Sequence, residues 1–126
     1  MNIVDSSGWL EYFSDGDNAQ HYAPAIEDTK KLIVPAICLF EVFKRLLQQK
    51  GEDVALKAAS AMQQARVVPL DQPLALAAAK LSHSIKLPMA DSIILATARS
   101  YKAALWTQDV DFKDLPGVRY FAPAQS

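Results

Sequence analysis

The sequence contains little cysteine, little net charge and no long apolar run, and each of these shortages excludes a class of protein. The single cysteine among 126 residues, Cys38, can form neither an internal disulfide nor a zinc site of several thiolates, so we expect a reducing, cytoplasmic setting. No apolar run approaches the roughly 18 residues of a membrane span, and the N-terminus lacks a signal-peptide pattern. The formal net charge of −1 gives no global attraction for nucleic acid.

What is present is typical of one globular domain over residues 1–126. Hydrophobic residues make up 51% and charged residues 21% of the chain, a balance that supports a core and excludes general disorder. Alanine is concentrated between Ala55 and Ala104, which favours helices there. Short apolar stretches alternate with these helical stretches. The sequence therefore predicts an α/β fold, a three-layer α/β/α sandwich around a parallel sheet of four or five strands.

The predicted elements can be placed along the chain to within a few residues. Strands are predicted at Asn2–Val4, Leu32–Val34, Arg66–Val68, Ala104–Trp106 and Gly117–Tyr120. Helices are predicted at Ser6–Phe13, Ala19–Asp28, Ala36–Gln49, Glu52–Gln64, Gln72–Ile85 and Asp91–Tyr101. Pro35 is suited to the first turn of its helix, and Gly51 to the junction of two helices.

Acidic side chains follow two of the predicted strands, at the sheet edge where open α/β folds bind ligands. Asp5 ends the first strand, and Asp109 comes just past the fourth. Asp91 opens a helix that is apolar on nearly every side, so its carboxylate lies close to the interior and needs a partner there. Each of the three aspartates could instead serve only as a helix N-cap.

Glu41 is a charged residue inside the apolar segment Ile37–Phe43. On a helical wheel it points away from Leu39 and Val42 and shares its side with Phe40. It is therefore either an ordinary exposed glutamate or part of the lip of a cleft.

Four carboxylates in one cleft would require a cation, because like charges that close cannot all stay ionised. Ligation by oxygen alone suits Mg²⁺ or Mn²⁺. Zinc is not expected, because His21 and His83 are far apart in sequence and Cys38 is alone. Such a site in an α/β domain usually serves phosphate chemistry.

The acidic segments appear in an order that resembles a known family. Ile3-Val-Asp-Ser-Ser7, Glu41, Leu87-Pro-Met-Ala-Asp-Ser-Ile-Ile-Leu-Ala-Thr-Ala98 and Leu105-Trp-Thr-Gln-Asp-Val-Asp-Phe112 follow one another along the chain. This set is similar to that of the PIN-domain family and, within it, of the VapC-like toxins of toxin–antitoxin pairs.

The resemblance implies an endoribonuclease that hydrolyses RNA phosphodiester bonds with water activated by Mg²⁺ or Mn²⁺. It implies that the catalytic, metal-binding acids are Asp5, Glu41, Asp91 and Asp109, with Asp111 as a further ligand. A hydroxyl beside the first aspartate would come from Ser6 or Ser7, and one before the fourth acid from Thr107. Candidate RNA contacts are Lys44, Arg45, Lys86 and Arg99.

The resemblance also implies a VapB-like antitoxin and a homodimer. Two apolar stripes near the acids are either core or an exposed docking surface for the antitoxin. These stripes are Trp9, Tyr12 and Phe13, and Leu39, Phe43, Leu46 and Leu47. The antitoxin would lay a helix or extended segment between the two helices and could bring a basic side chain to the acids.

Two other functions compete with the nuclease. A receiver-type phosphoacceptor domain has similar length and layering and also gathers aspartates around Mg²⁺. It would need its acceptor aspartate at the end of the third strand, where this chain has Val68-Pro-Leu-Asp71, and a lysine where Asp109 stands. The third possibility is a non-catalytic partner-binding module of the same fold.

Overall fold

The computed structural model describes residues 1–123 and contains one five-stranded sheet. Its strands lie in the order β3-β2-β1-β4-β5 and all pair in parallel. They are β1 (Asn2–Val4), β2 (Leu32–Pro35), β3 (Arg66–Val68), β4 (Ala104–Thr107) and β5 (Val118–Tyr120). The predicted parallel sheet is confirmed, with the larger of the two strand numbers.

Six α-helices connect the strands, as predicted. They are α1 (Ser6–Phe13), α2 (Ala19–Glu27), α3 (Ala36–Lys50), α4 (Glu52–Met62), α5 (Gln72–Ile85) and α6 (Met89–Ser100). Two short 3₁₀ turns, Thr29–Lys31 and Val110–Phe112, were not predicted. Helix α6 begins two residues earlier than predicted, because Pro88 is extended and serves as its N-cap. Asp91 is therefore the third residue of α6 and not its first.

The core surrounds the central strands. All four residues of β2 are buried, and successive side chains of a strand point to opposite faces, so both faces of the sheet are covered. Helix α6 is buried continuously from Ser92 to Ala98. An apolar sheet covered on both sides accounts for the alternation of strands and helices in the sequence.

Gly8 allows α1 to lie close to the end of β1. A Cβ at this position would be 2.6 Å from Cε1 of Tyr22 in α2 and 2.7 Å from Cγ1 of Val4 in β1. Both distances are shorter than real carbon contacts, so a side chain would push the helix outward. The glycine thus holds the first turn of α1, with Ser6 and Ser7, directly against the strand end.

The sheet order excludes the receiver alternative. In receiver-type domains the third strand lies inside the sheet, whereas β3 lies at its edge here. Asp71, the residue that would have accepted phosphate, is the N-cap of α5, and its Oδ1 accepts a hydrogen bond from Leu74 N at 2.9 Å. The receiver interpretation is therefore wrong. Among residues 1–123, no helix combines the length and the apolar character needed to cross a bilayer.

Candidate functional site

A cleft of about 650 Å³ opens at the carboxyl edge of the sheet. Its lining includes the four predicted acids, Asp5, Glu41, Asp91 and Asp109. Asp5 directly follows β1 and Asp109 follows β4, while Glu41 lies in the second turn of α3 and Asp91 in the first turn of α6. The predicted convergence of these side chains in one cleft is confirmed.

Asp5 is the most buried of the acids, with 3% of its surface exposed. Its Oδ1 accepts a hydrogen bond from Ser6 N at 2.8 Å, which caps α1. Its Oδ2 accepts hydrogen bonds from Ser7 Oγ at 3.0 Å and Thr107 Oγ1 at 2.9 Å. Burial raises the pKa of Asp5 above its ordinary value, and these hydrogen bonds oppose the shift because they favour the charged form. Asp5 is thus both a cap and a fixed carboxylate in the cleft.

Thr107 connects the first and fourth acids. Its fully buried hydroxyl donates to Asp5 and accepts a hydrogen bond from Asp109 N at 2.9 Å. Asp109 Oδ1 in turn accepts a hydrogen bond from Asp111 N at 2.9 Å, which forms the turn after β4. The hydroxyl of Thr107 therefore sets the position of one carboxylate relative to another.

The two serines after Asp5 contact different acids. Ser7 donates to Asp5, whereas Ser6 donates to Glu41 Oε1 at 2.7 Å, across 35 residues of sequence. Ser6 is 8% exposed and Glu41 is half-buried. Because their hydrogen bond joins two helices, it fixes α3 against the first turn of α1 at the cleft. Glu41 is therefore a lip residue of the cleft and not an ordinary exposed glutamate.

Asp91, Asp109 and Asp111 form the tightest group of acids. Each offers one carboxylate oxygen, and these three oxygens lie within 4.8 Å of one another. Partial burial and, after it, the negative charges of Asp109 and Asp5 together raise the pKa of Asp91 to about 7. A carboxylate whose charged neighbours are acidic favours either a proton or a cation.

The donor set fits a hard divalent cation. All candidate ligand atoms are carboxylate oxygens, the ligands that Mg²⁺ and Mn²⁺ prefer. The Cys38 thiol is fully buried and does not line the cleft, and burial raises its pKa well above the usual range. Asp5, Asp91 and Asp109, with Asp111 at the exposed rim, are the residues that could hold such an ion.

Replacing Thr107 with valine is expected to destabilise the protein and to displace Asp109. Valine keeps the volume but removes one of the two hydrogen bonds to Asp5 Oδ2 and leaves the Asp109 N–H without its partner, at a cost of about 1–3 kcal/mol in the free energy of unfolding. Denaturant unfolding and the affinity for Mn²⁺ would measure both effects. Thr107→Ser keeps the hydroxyl and should retain the Mn²⁺ affinity. Equal Mn²⁺ affinity in the valine and wild-type proteins would show that Thr107 does not position the acids.

Two of the four basic residues predicted to contact RNA also line the cleft. Lys44 and Arg45 are exposed residues of α3 on its rim. Lys86 and Arg99 are not among the lining residues in the described part of the chain. Arg99 lies eight residues after Asp91 in α6, about 12 Å further along the helix axis, and therefore toward the other edge of the sheet.

One polar network at the site was not predicted from the sequence. Gln108 Nε2 donates to Glu11 Oε2 at 3.0 Å, and Gln108 Oε1 accepts a hydrogen bond from Asn18 Nδ2 at 3.2 Å. Asn18 N also donates to Glu11 Oε1 at 3.2 Å. The network joins α1, the start of α2 and the residue before Asp109. No spacing rule links these three residues, so only the folded chain reveals them.

Comparison with known proteins agrees with this geometry. A family model for the PIN domain matches residues 3–118. The chain belongs to the PIN-domain family. The family resemblance drawn from the acidic segments is thus confirmed. A search of curated proteins finds no significant match to this PIN domain.

Solved structures share the fold of this PIN domain at low sequence identity. A toxin–antitoxin complex from Klebsiella pneumoniae matches with a TM-score of 0.81 and 23% identity, over 94% of this chain and 96% of the other. VapC20 of Mycobacterium tuberculosis, a sarcin-ricin loop cleaving toxin, gives 0.75 and 20%, over 89% and 92%. VapBC2 of Rickettsia felis, bound to a promoter DNA fragment, gives 0.75 and 12%, over 96% and 97%. These likenesses show the fold.

Proposed function

We propose that this PIN domain is a ribonuclease that depends on Mg²⁺ or Mn²⁺ and acts as the toxin of a toxin–antitoxin pair. The observation that carries the proposal is the acidic cleft, in which four carboxylates from distant parts of the chain meet beside two basic residues. The carboxylates suit a divalent ion, and the basic residues suit the backbone of a nucleic acid. One neighbour of the same fold is a sarcin-ricin loop cleaving toxin, which supports RNA as the substrate.

Asp5, Asp91 and Asp109 are proposed to hold the ion, with Asp111 as a further ligand; Glu41 either contacts a second ion or has the role described next. When bound, a divalent ion supplies activation of water and neutralises charge on the phosphoryl oxygens. The protein supplies the fixed positions. Ser7 and Thr107 hold Asp5, and Thr107 holds the backbone of Asp109.

Glu41 is proposed to orient the attacking water. Its Oε1 accepts the hydrogen bond from Ser6, so Oε2 is left to accept a hydrogen bond from water in the cleft. Lys44 and Arg45 on the neighbouring turn of α3 bind phosphates on either side of the scissile bond. Together these residues place the phosphate, the water and the carboxylates on one side of the sheet edge.

The proposal is tested by incubating the purified protein with total cellular RNA. Cleavage is expected with added Mg²⁺ or Mn²⁺ and should stop when EDTA is in excess. Cleavage that persists in EDTA would contradict the metal mechanism. Intact RNA under all ion conditions would favour the third interpretation, a partner-binding module that has kept the fold.

The antitoxin is proposed to bind a second groove that adjoins the acidic cleft. This groove, of about 540 Å³, lies between α1, α3 and α4 and shares Ser7, Leu10 and Arg45 with the cleft. Its α3 and α4 walls combine apolar and basic side chains, including Leu46, Lys50, Val54 and Lys57, while Glu11 and Gln108 line the opposite side together with Phe13. A segment that is apolar on one side and acidic at its edges would fit it, and its end would reach the acids.

The lining of the groove includes only some residues of the two apolar stripes that were predicted as a docking surface. Phe13 and Leu46 line it, but Trp9 is 1% exposed and belongs to the core. Helix α4, which was not part of the prediction, contributes one wall. The homodimer stays a prediction.

Val54→Asp is expected to weaken antitoxin binding without changing RNA cleavage. Val54 is 44% exposed and lines the groove, so a carboxylate there would be buried by an apolar partner segment. Leu56→Asp is the matched control, because Leu56 lies on the same helix, is 48% exposed and does not line the groove. Co-purification with a co-expressed VapB-like antitoxin would measure binding. Equal loss in both variants, or loss in neither, would contradict the proposed groove.

A further inference from the structure

Phe40 is an exposed aromatic residue at the acidic cleft, and neither the core nor the acids explain it. It is 58% exposed, whereas every other phenylalanine, tyrosine and tryptophan among residues 1–123 is buried or partly buried. It precedes Glu41 in α3 and lines the same cleft. A single exposed apolar side chain is ordinary on a protein surface, but this ring lies in the acidic cleft and is therefore within reach of the ligand that binds there.

The surroundings of Phe40 are basic along the helix. The Nζ atom of Lys44 lies 5.7 Å from the centroid of the ring, within the range of a cation–π contact. Phe40, Lys44 and Gln48 are spaced four residues apart, and all three line the cleft. They form a stripe, aromatic at one end and then basic and polar, that runs along α3 away from the acids.

We propose that Phe40 stacks on one unpaired base of the RNA substrate while Lys44 binds a neighbouring phosphate. This rests on the proposed ribonuclease function and names the residue that holds a base of the substrate. It requires RNA that is unpaired at the position that meets Phe40. A base can reach an exposed ring only when it is not paired within a helix. Stacking on an aromatic side chain beside a basic residue is the general way that proteins hold single strands.

The alternative ligand that could cover the Phe40 ring is a protein partner. The apolar groove proposed for the antitoxin is lined by Leu10, Phe13 and Val54 but not by Phe40. Phe40 instead shares its cleft with the acids and with Lys44, so a ligand that covers the ring also meets a basic group. Negative phosphates and flat bases complement this combination better than an apolar peptide does.

The test begins by mapping one cleavage site in a pool of single-stranded RNA. An oligonucleotide with that site is then made with an abasic residue at each position in turn. With the wild-type protein, one abasic position near the cut should lower kcat/KM by about 5- to 150-fold, the range expected for the loss of one stacked base. Annealing a complementary strand should block cleavage.

The decisive comparison uses Phe40→Ala. This variant should cleave the unmodified oligonucleotide about 5- to 150-fold more slowly, and the sensitive abasic position should then cause no further loss. Phe40→Tyr keeps a ring and should retain both the activity and the abasic penalty. Leu76→Ala is the control for removing an exposed apolar side chain, because Leu76 is 70% exposed on α5 and does not line the cleft.

Several results would overturn the inference. Cleavage by Phe40→Ala at the wild-type rate would contradict it. Slow cleavage by Phe40→Ala with the full abasic penalty would also contradict it, because the ring would then act through the fold. Duplex RNA cleaved as fast as the single strand would contradict an unpaired base. A variant that loses only its antitoxin would assign Phe40 to the protein interface. If the wild-type protein cleaves no RNA at all, the proposed function itself fails, and that result is distinct from the others.

Discussion

Replacing Asp5 with asparagine should lower the rate of RNA cleavage by more than about 100-fold. Even the loss of a residue that only hydrogen-bonds to a metal ligand lowers metal affinity or activity by about 10- to 100-fold, and Asp5 is proposed to be a ligand itself. Asparagine keeps the shape of the side chain and an oxygen that can cap α1 through Ser6 N. It removes the negative charge that is fixed by Ser7 and Thr107. The rate with a fluorescent RNA substrate, at several Mn²⁺ concentrations, would measure the loss.

Asp71→Asn is the matched control for this experiment. Asp71 is also the N-cap aspartate of a helix, and its Oδ1 accepts a hydrogen bond from Leu74 N at 2.9 Å. It does not line the cleft, so its asparagine variant should cleave RNA at the wild-type rate. Both variants should keep the circular dichroism of the wild-type protein. A folded Asp5→Asn protein with undiminished cleavage would remove Asp5 from the proposed catalytic group.

The position of the acids could be predicted because parallel strands share a carboxyl edge. Asp5 and Asp109 follow strands that are adjacent in the sheet, so their proximity depends only on topology. The sequence of its own helix could not decide whether Glu41 is an ordinary exposed residue or part of the cleft. The wheel gave its direction, but whether that direction meets solvent or a cleft depends on the Ser6 hydroxyl, which comes from α1.

Other parts of the site depend on contacts that sequence spacing does not encode. Nothing in the sequence shows that Ser6 and Ser7 serve different acids, because this follows from the direction of the first turn of α1. The start of α6 was misplaced because Pro88 permits an earlier N-cap than the first charged residue suggests. The network of Glu11, Asn18 and Gln108 joins elements about 90 residues apart in sequence, and hydrogen bonds of this kind carry no periodic signal.

The metal-free protein should become less stable as the pH rises from 5.5 to 8. Burial and the neighbouring acids raise the pKa of Asp91 to about 7, and burial raises that of Asp5 from 3.8. In the unfolded chain, the pKa of aspartate is about 3.9. Between these values the folded protein keeps a proton that the unfolded chain has released, so stability falls as the pH rises through this window and the loss is complete above about pH 7.

A bound divalent ion should reverse this trend, because it favours the ionised carboxylates that the metal-free protein resists. In EDTA the melting temperature should drop by a few degrees across the window, a modest change because Asp91 is only partly buried and therefore partly screened. Saturating Mn²⁺ should raise the melting temperature at pH 8 much more than at pH 5.5, since at the lower pH the ion must displace a proton. Melting curves with and without Mn²⁺ at each pH would measure both effects.

Asp91→Asn separates this effect from general acid titration. The variant has no carboxylate at position 91, so in EDTA it should be more stable than the wild-type protein at pH 8 and should lose most of the dependence on pH. It should also gain little stability from Mn²⁺. Asp28→Asn, at an exposed aspartate after α2, should follow the wild-type curves. A wild-type protein that is more stable at pH 8 than at pH 5.5 in EDTA would show that the acids do not repel one another in the cleft, and the case for a cation there would fail with it.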